Sequence, residues 1–584
     1  MRLTRRGTII ATVLVLIITT SLVDTALAYT VHIGLLAVTD HSGEVIPADV
    51  SVSRGSGGLV IEPSEYIHPS VLYSTRVGYV LASLLSHIPP SQVHVRVLIH
   101  TNTEVQGPSA SGFLTTVIFL GIRGVYPRND TTMTGMISLT GFILPVAGIK
   151  YKVEAAAKAG YKRVILPYGE NAPTTKRNGV KILHACSLED SVADAAFSPP
   201  MLIGSNFSYI NSSINTMVRE NIDTRVFDNY TRFFIKALGK LLKEYRGTDK
   251  QKYEELEKLA KKALENGDSY SAASIAFYSV VNIATRIASS KGFTYLEKLL
   301  NISLQQEIQR ATTALSKASE KVLRGSSCDA WRVEALAAAS SRLYLARHAA
   351  TSPRGDKVLA LFRAVSALSW LELAKSVHGP KVPCDLLKET IRNYVDYASL
   401  SYSYINSVLP FLAKQLLMPD NRSITAWLKD ARTALSNGDY VLALGLAENT
   451  IASFEDVLVD YASLPLGCVV RHVYFLLENS AIGYSLPALL YSSYALTYAR
   501  DVGKIIGRQN FAPVLVSDAS TWALFGVFGW AINQSIATTP SLTRPLSNYT
   551  PSPSITPIVA EALVLGVAAY AVASLSRRAS SQEL

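Results

Sequence analysis

The sequence predicts an α/β (α+β) domain, then an all-α helical-hairpin domain, then a C-terminal transmembrane helix. Three observations carry this. Short alternating apolar runs and Gly-punctuated helices fill residues 29–200. From about Ile214 to Arg508 long amphipathic helices take over, separated by brief Gly, Asn, Asp or Pro breaks. Near the end, Ile555 to Leu575 is apolar apart from Glu561, and Arg577 and Arg578 follow directly.

At 584 residues the chain has room for two or three cores. Residues 1–28 read as a signal peptide: Arg2, Arg5 and Arg6 precede the apolar run Thr8 to Val23, and Ala26-Leu27-Ala28 offers a cleavage site before Tyr29. Residues 29–200 form the α/β domain and 214–536 the helical domain. Residues 537–554 are a Ser/Thr/Pro-rich stalk, too polar for a core. Residues 555–575 are the membrane span, and 576–584, with the basic flank, are the cytoplasmic tail. Both folded domains are then extracytoplasmic, on a single-pass anchor in the cell membrane. The apolar run Thr521 to Ile536, with Trp522 and Trp530, is read as a buried or interfacial helix because it is short and Gly-interrupted.

Composition excludes several classes of function. The 56 lysines and arginines against 45 aspartates and glutamates leave a formal +11, but they are scattered without a basic-aromatic stripe, so no nucleic-acid partner is expected. The four cysteines, Cys186, Cys328, Cys384 and Cys468, lack CxxC or His spacing, so no metal site is expected. In an exported chain they favour one or two disulfides, with three full pairings open. Asn-X-Ser/Thr sequons at Asn129, Asn206, Asn211, Asn229, Asn301, Asn421, Asn533 and Asn548 all fall between the apolar ends, consistent with export as a glycoprotein.

Taken in order, VHIGLLAV and EVIPADVSV read as strands, Val71 to Ser86 as a helix, and VHVRVLI as a strand with Val93, Val95, Val97 and Ile99 on one face. His94 and His100 read as ordinary strand histidines. Next comes QGPSASG, a Gly107-Pro108 turn with Ser109 at the start of a helix that continues through Phe113 to Leu120. Unpaired N–H groups at such a start can stabilise an oxyanion, here those of Ser109 and Ala110. MTGMISLTGFILPVAG alternates like a hairpin turning at Thr140 and Gly141, KYKVEAAAKAG is an Ala-rich helix ended by Gly160, and RVILP is a strand. A serine hydroxyl needs a base, and a lysine serves only if burial lowers its pKa from about 10.4 toward 7 to 8. Lys152, in an apolar helix, meets that condition; Lys150, at the helix start, reads as solvated. Glu154 is two residues from Lys152, an awkward spacing for an ion pair on one helix face.

GPSASG, MTG, LPVAGIKYKVEAAAKAG and VILPYGEN, in this order and at these separations, resemble the proteolytic domain of the Lon protease family, the Ser-Lys peptidases. The resemblance extends upstream to GLLAVTDHSGEVIPADVSVSRGSGGLVI and covers about residues 30 to 190. It implies Ser109 as nucleophile, Lys152 as base and Thr134, in MTG, as the hydroxyl that positions the lysine. Gln106 stands where many members are acidic, and Met136 where the bacterial ATP-dependent type has Glu after MTG, which brings the chain closer to the membrane-bound archaeal branch. No G-x-x-x-x-G-K-[ST] loop occurs, so the family's ATPase module and its nucleotide cofactor are not expected.

KKALENGDSYSAASIAFYSVV and ARTALSNGDYVLALGLAENTI share an Asn-Gly-Asp break between helices, and RHAATSPRGDKVLALFRAVSALSW is a looser third copy. These read as tetratricopeptide-like helical hairpins, serving either as a platform over the site or as a bundle that spaces it from the membrane. The expectation is an ATP-independent, membrane-anchored, extracytoplasmic serine endopeptidase acting on unfolded or extended polypeptides, with homo-oligomerisation open. The alternative is a weakly active or inactive Lon-like fold acting as an exported binding or surface scaffold; Ser, Thr and Lys at the family spacing favour the peptidase.

Overall fold

A computed structural model describes residues 29–39, 42–168, 176–177, 179–196, 207–320, 322–352, 355–412, 421–508 and 511–531. The signal peptide, stalk, membrane span and tail expected above lie outside the described residues.

The first domain opens with β1 (Tyr29–Val38), β2 (Gly43–Arg54), β3 (Gly58–Glu62), α1 (Pro69–Leu85) and β4 (Val93–Ile99). The strands form a sheet in the order β1-β2-β4-β3, antiparallel except for the β3–β4 pair. On β4 the residues Val93, Val95, Val97 and Ile99 are buried and Arg96 is exposed, as the two-residue alternation requires. Helix α2 (Ser111–Ile122) follows, then β5 (Thr131–Met133), β6 (Met136–Ile137), β7 (Ile143–Leu144), α3 (Ile149–Lys158) and β8 (Arg163–Pro167). The domain continues with β9 (Lys176–Arg177), β10 (Val180–Ala185) and α4 (Leu188–Ala195). A second sheet runs β5-β8-β10-β9, with β5, β8 and β10 parallel. Helix α2 is buried from Ser111 through Gly121, which explains why its sequence is apolar all round rather than striped. Met136 pairs with Leu144 and Ile137 with Ile143, so β6 and β7 form a hairpin centred on Thr140.

Helices occupy most of the chain from Phe207 to Ala531. The first, Phe207–Asn221, begins seven residues ahead of the expected boundary at Ile214, which lies inside it. Asn266-Gly267-Asp268 joins the helices Lys250–Glu265 and Ser269–Lys291, and Asn437-Gly438-Asp439 joins Asn421–Ser436 to the next helix. In both turns the aspartate caps the second helix, accepting from Ser271 N and from Leu442 N. Asp356 does the same to Leu359 N in the looser third copy. Three helices of this array press on the first domain: α5 (Cys384–Leu412), α6 (Tyr440–Ala462) and α7 (Leu466–Glu478). One continuous apolar core runs from Tyr29 to Ala531 through both regions.

The described part of the apolar run placed at Thr521 to Ile536, as far as Ala531, belongs to a helix that starts earlier, Ala512–Val527, and a further short turn. Of its most apolar window 94% is buried inside the protein, where it packs among α5, α6, α7 and the helix Leu486–Thr497. Length and composition would let it cross a membrane, but its partners here are other helices. The cysteines pair as Cys186–Cys468, between the two regions, and Cys328–Cys384, within the array.

Candidate active site

Ser109 lies in the turn between β4 and α2. Gly107 has a φ of +89°, a left-handed conformation that a side chain would strain. Its amide donates to Ser70 Oγ at 2.8 Å, which ties the turn to the start of α1. Helix α2 itself begins at Ser111, two residues later than expected, with Ala110 as its N-cap. The reason is local: the amide and hydroxyl of Ser111 both donate to the Pro108 carbonyl, at 3.0 and 2.7 Å, and fold 108–111 into a turn. Ser109 is therefore half-buried on the turn rather than in the helix. Among the described residues the amides of Ser109 and Ala110 have no acceptor, so two donors stay free beside the hydroxyl.

Helix α2 meets the β5–β6 segment closely. The Gly112 amide donates to the Gly135 carbonyl at 2.9 Å, and a Cβ on Gly112 would sit 2.9 Å from that same oxygen, so only glycine fits. The Gly135 amide returns to the Ser109 carbonyl, also at 2.9 Å. This exchange brings Thr134 beside the serine turn.

Lys152 stands on the first turn of α3, in the buried set Lys152, Val153, Ala155 and Ala156. Its side chain is 3% exposed, whereas Lys150 points to solvent. Lys152 Nζ donates to Thr134 Oγ1 at 3.2 Å, and Thr134 Oγ1 donates to the Ser109 carbonyl at 3.2 Å. No carboxylate pairs with Lys152 among the described residues. Burial alone lowers its pKa from 10.5 to about 8. A fair fraction of neutral amine is thus present near neutral pH, as a general base requires. Ser109 and Lys152 are linked through Thr134, while Ser109 Oγ and Lys152 Nζ share no direct hydrogen bond. Apo geometry often leaves such contacts open until substrate arrives.

His100 pairs instead with Asp49 at 3.0 Å, near solvent on the β2–β4 face. His94 is half-buried on β4 beside β3. Neither enters the group around Thr134.

Two features escaped sequence reasoning. Phe411, near the end of α5, packs edge-on to His68 and lies 3.6 Å from where a Gly107 side chain would begin. It is 40% exposed, so the array contributes an aromatic wall beside the serine turn. The other is the grip of the array on the β6–β7 hairpin. Glu455 of α6 accepts from Ser138 Oγ at 2.7 Å, Thr140 Oγ1 at 2.6 Å and Leu139 N at 3.0 Å. Tyr397 and Tyr404 of α5 donate to the carbonyls of Leu139 and Ile137. His472 of α7 lies 2.9 Å from the Thr140 carbonyl through Nε2 and 2.9 Å from Glu189 through Nδ1. Arg471 pairs with Asp190 at 2.6 Å, and Cys468 bonds to Cys186. Cys468, Arg471 and His472 share one face of α7, and CSLED faces CVVRH with complementary charges.

Residues 23–197 match the family described as the Lon protease (S16) C-terminal proteolytic domain. The chain is 34% identical over 173 residues to the Lon protease of Lawsonia intracellularis, covering 28% of this chain and 21% of that protein. It is 32% identical over 195 residues to the peroxisomal Lon protease homolog 2 of Homo sapiens, covering 31% and 23%. With Lon protease 2 of Myxococcus xanthus the identity is 39% over 100 residues, or 16% and 12%. The chain thus spans 21% of the length of a relative such as the Lawsonia protein. Chemically, a buried lysine of lowered pKa, a hydroxyl between it and a serine turn, and free amides beside that serine are the parts of an acyl-transfer site.

Proposed function

With a Lon-type proteolytic domain at residues 23–197 as premise, we propose that this chain is a serine endopeptidase with a Ser109–Lys152 dyad, anchored in the cell membrane and acting outside it without ATP. The observation that carries the reading is the state of Lys152: buried, without a carboxylate, and joined through Thr134 to the turn that bears Ser109. In the proposed cycle neutral Lys152 Nζ takes the Ser109 Oγ proton as Oγ bonds to the peptide carbonyl carbon. The amides of Ser109 and Ala110 hold the resulting oxyanion. The Lys152 ammonium then protonates the departing amine as the C–N bond breaks, leaving an acyl-serine. Water, deprotonated by Lys152, attacks that ester and restores the hydroxyl. Thr134 keeps the amine pointed at the serine.

Extracytoplasmic placement is supported by the two disulfides, which persist in oxidising compartments, and by the apolar runs at the two ends of the sequence. Cleavage without nucleotide is supported by the absence of a phosphate loop in these 584 residues. Extended or loosely folded polypeptides are the substrates suited to a site that works without an unfolding motor.

The test is hydrolysis of unfolded casein by the full-length chain in detergent, without nucleotide, beside Ser109→Ala and Lys152→Ala. Both variants should lose about a thousandfold or more in kcat/KM. Cleavage that persists in both would refute the dyad, and an inert wild type would return the weight to a surface scaffold. A tag placed after Leu584 should resist protease added outside intact cells; its digestion would refute the proposed topology.

A further inference from the structure

The β6–β7 hairpin has two ends with different neighbours. Its base belongs to the candidate site. One residue before β6 is Gly135, whose amide holds the Ser109 carbonyl, and before that Thr134, which holds Lys152. The first strand is stapled to the nucleophile's helix, because Ile137 N donates to Ser111 Oγ at 3.0 Å while Ser111 Oγ donates to Pro108 O. The other strand leads within five residues to α3, which carries Lys152. The serine turn, the threonine and the lysine helix therefore all hang from this hairpin.

Its tip belongs to the helical array. From Ile137 to Thr140, three carbonyls, one amide and two hydroxyls are met by α5, α6 and α7: Tyr404 on Ile137 O, Tyr397 on Leu139 O, His472 on Thr140 O, and Glu455 on Ser138 Oγ, Leu139 N and Thr140 Oγ1. The four array side chains are all fully buried. Residues 141–143 are braced from behind, where Leu188 N donates to Gly141 O at 2.9 Å and Ile143 N to Cys186 O at 2.8 Å. That brace is itself fastened to α7 by the Cys186–Cys468 bond and the Arg471–Asp190 pair. A helical bundle that only spaced the first domain from a membrane would need apolar packing at its boundary. It would not need a buried carboxylate spent on three donors of a single turn, since burying an ionisable group is costly unless its partners are fixed.

We propose that the helical array positions the peptidase centre by clamping the hairpin tip at 137–141, with Glu455, His472, Tyr397 and Tyr404 as positioning residues for Thr134 and Lys152. This deepens the peptidase reading and rests on it for its kinetic consequence. A small displacement of the tip is carried through two-residue strands to Thr134 on one side and the start of α3 on the other. Misplacement of a catalytic group by about an ångström costs on the order of a hundredfold in rate.

The experiment uses the full-length chain with Glu455→Gln, Tyr404→Phe and the exposed control Lys258→Ala. In Glu455→Gln the amide oxygen can keep the Leu139 amide only if the amide nitrogen faces the two hydroxyls, which then lose the acceptor they share and must turn to accept instead. The expected result is a fall in kcat of about tenfold, with KM within about twofold, for Glu455→Gln, and about threefold for Tyr404→Phe, with Lys258→Ala unchanged. Competitive amine labelling of Lys152 across pH, read by mass spectrometry, reports the lysine without reference to activity, and its titration should move up as the wall around it loosens. Turnover per folded molecule and a Lys152 labelling profile that both stay at wild-type values in the two clamp variants would overturn the proposal. If Glu455→Gln fails to fold, Tyr404→Phe decides alone. A wild type that hydrolyses nothing, yet shows the labelling shift, would refute the peptidase reading and leave the clamp standing.

Discussion

Lys152 and His472 are two buried basic groups in contact with one segment, and the protein treats them in opposite ways. Lys152 is given a single hydroxyl, and burial pulls its pKa down to about 8. His472 is given a carboxylate on one nitrogen and a carbonyl on the other, an arrangement that calls for a proton on each; Glu189 and the Thr140 carbonyl hold its pKa above the ordinary value despite burial. Glu189 correspondingly stays below the usual carboxylate range. Charge withheld from a partner stays available for chemistry, whereas charge supplied with partners becomes a fastening. Keeping an ammonium at the Lys152 position costs about 3 kcal/mol relative to water, a cost that favours the amine form needed for proton transfer.

The comparison breaks most visibly on the fastening side. Glu189→Gln removes the carboxylate hydrogen-bonded to buried His472, and urea unfolding should show a loss of about 3 to 5 kcal/mol. The sign with pH follows from the two shifts. The lowered carboxylate contributes stability above its unfolded value of 4.5 and loses it as pH falls through the folded value. The raised imidazolium contributes below 6.5 and loses it as pH rises through its folded value. Wild-type stability from this pair should therefore span the interval between, and the variant should lack that plateau.

Lys152 should respond in the reverse sense. Its pKa is depressed, so the buried ammonium weakens the fold below about pH 8 and that penalty lifts as pH rises toward 10.5. The kinetic counterpart is a kcat/KM for casein that climbs about tenfold per pH unit below 8 and levels above it, roughly a hundredfold between pH 6 and 8. A profile flat across that range would remove Lys152 from the role of base.

A smaller effect separates the disulfides. Cys186–Cys468 closes 282 residues and Cys328–Cys384 closes 56, so chain entropy makes the former worth about 1 kcal/mol more. Pairwise replacement by serine, compared by chemical denaturation, should reproduce that order, and only loss of Cys186–Cys468 should also lower turnover, because it braces Ile143. Equal turnover in both would detach the brace from the site.

Local pattern carried the sequence reading a long way. Alternation around Thr140 and Gly141 located the hairpin, and Asn-Gly-Asp marked two helical hairpins, whereas the choice of Lys152, the buried lysine of GIKYK, over Lys150 came from the family resemblance. Failures came where a hydrogen-bond or packing partner, near or far, decides. Ser109 was expected at a helix start, but Ser111 closes a turn on Pro108 and defers the helix. The helix of Trp522 begins at Ala512, because its apolar surface is buried all round and has no stripe to mark an edge. Three cysteine pairings stayed open since loop closure alone does not select among them. CSLED and CVVRH held a usable signal, complementary charges beside each cysteine at helical spacing, that becomes legible only as a pair.

The spacing of that pair along the chain also sets an order of events in time. Cys468 leaves the ribosome 282 residues after Cys186, an interval on the order of tens of seconds at ordinary elongation rates. Over much of it the serine turn and the lysine helix exist without the full set of helices that hold their hairpin, since α5 starts only at Cys384 and α6 at Tyr440. On the proposed peptidase reading the site is completed late in synthesis, and chains truncated ahead of Tyr440 should accordingly fail to cleave casein.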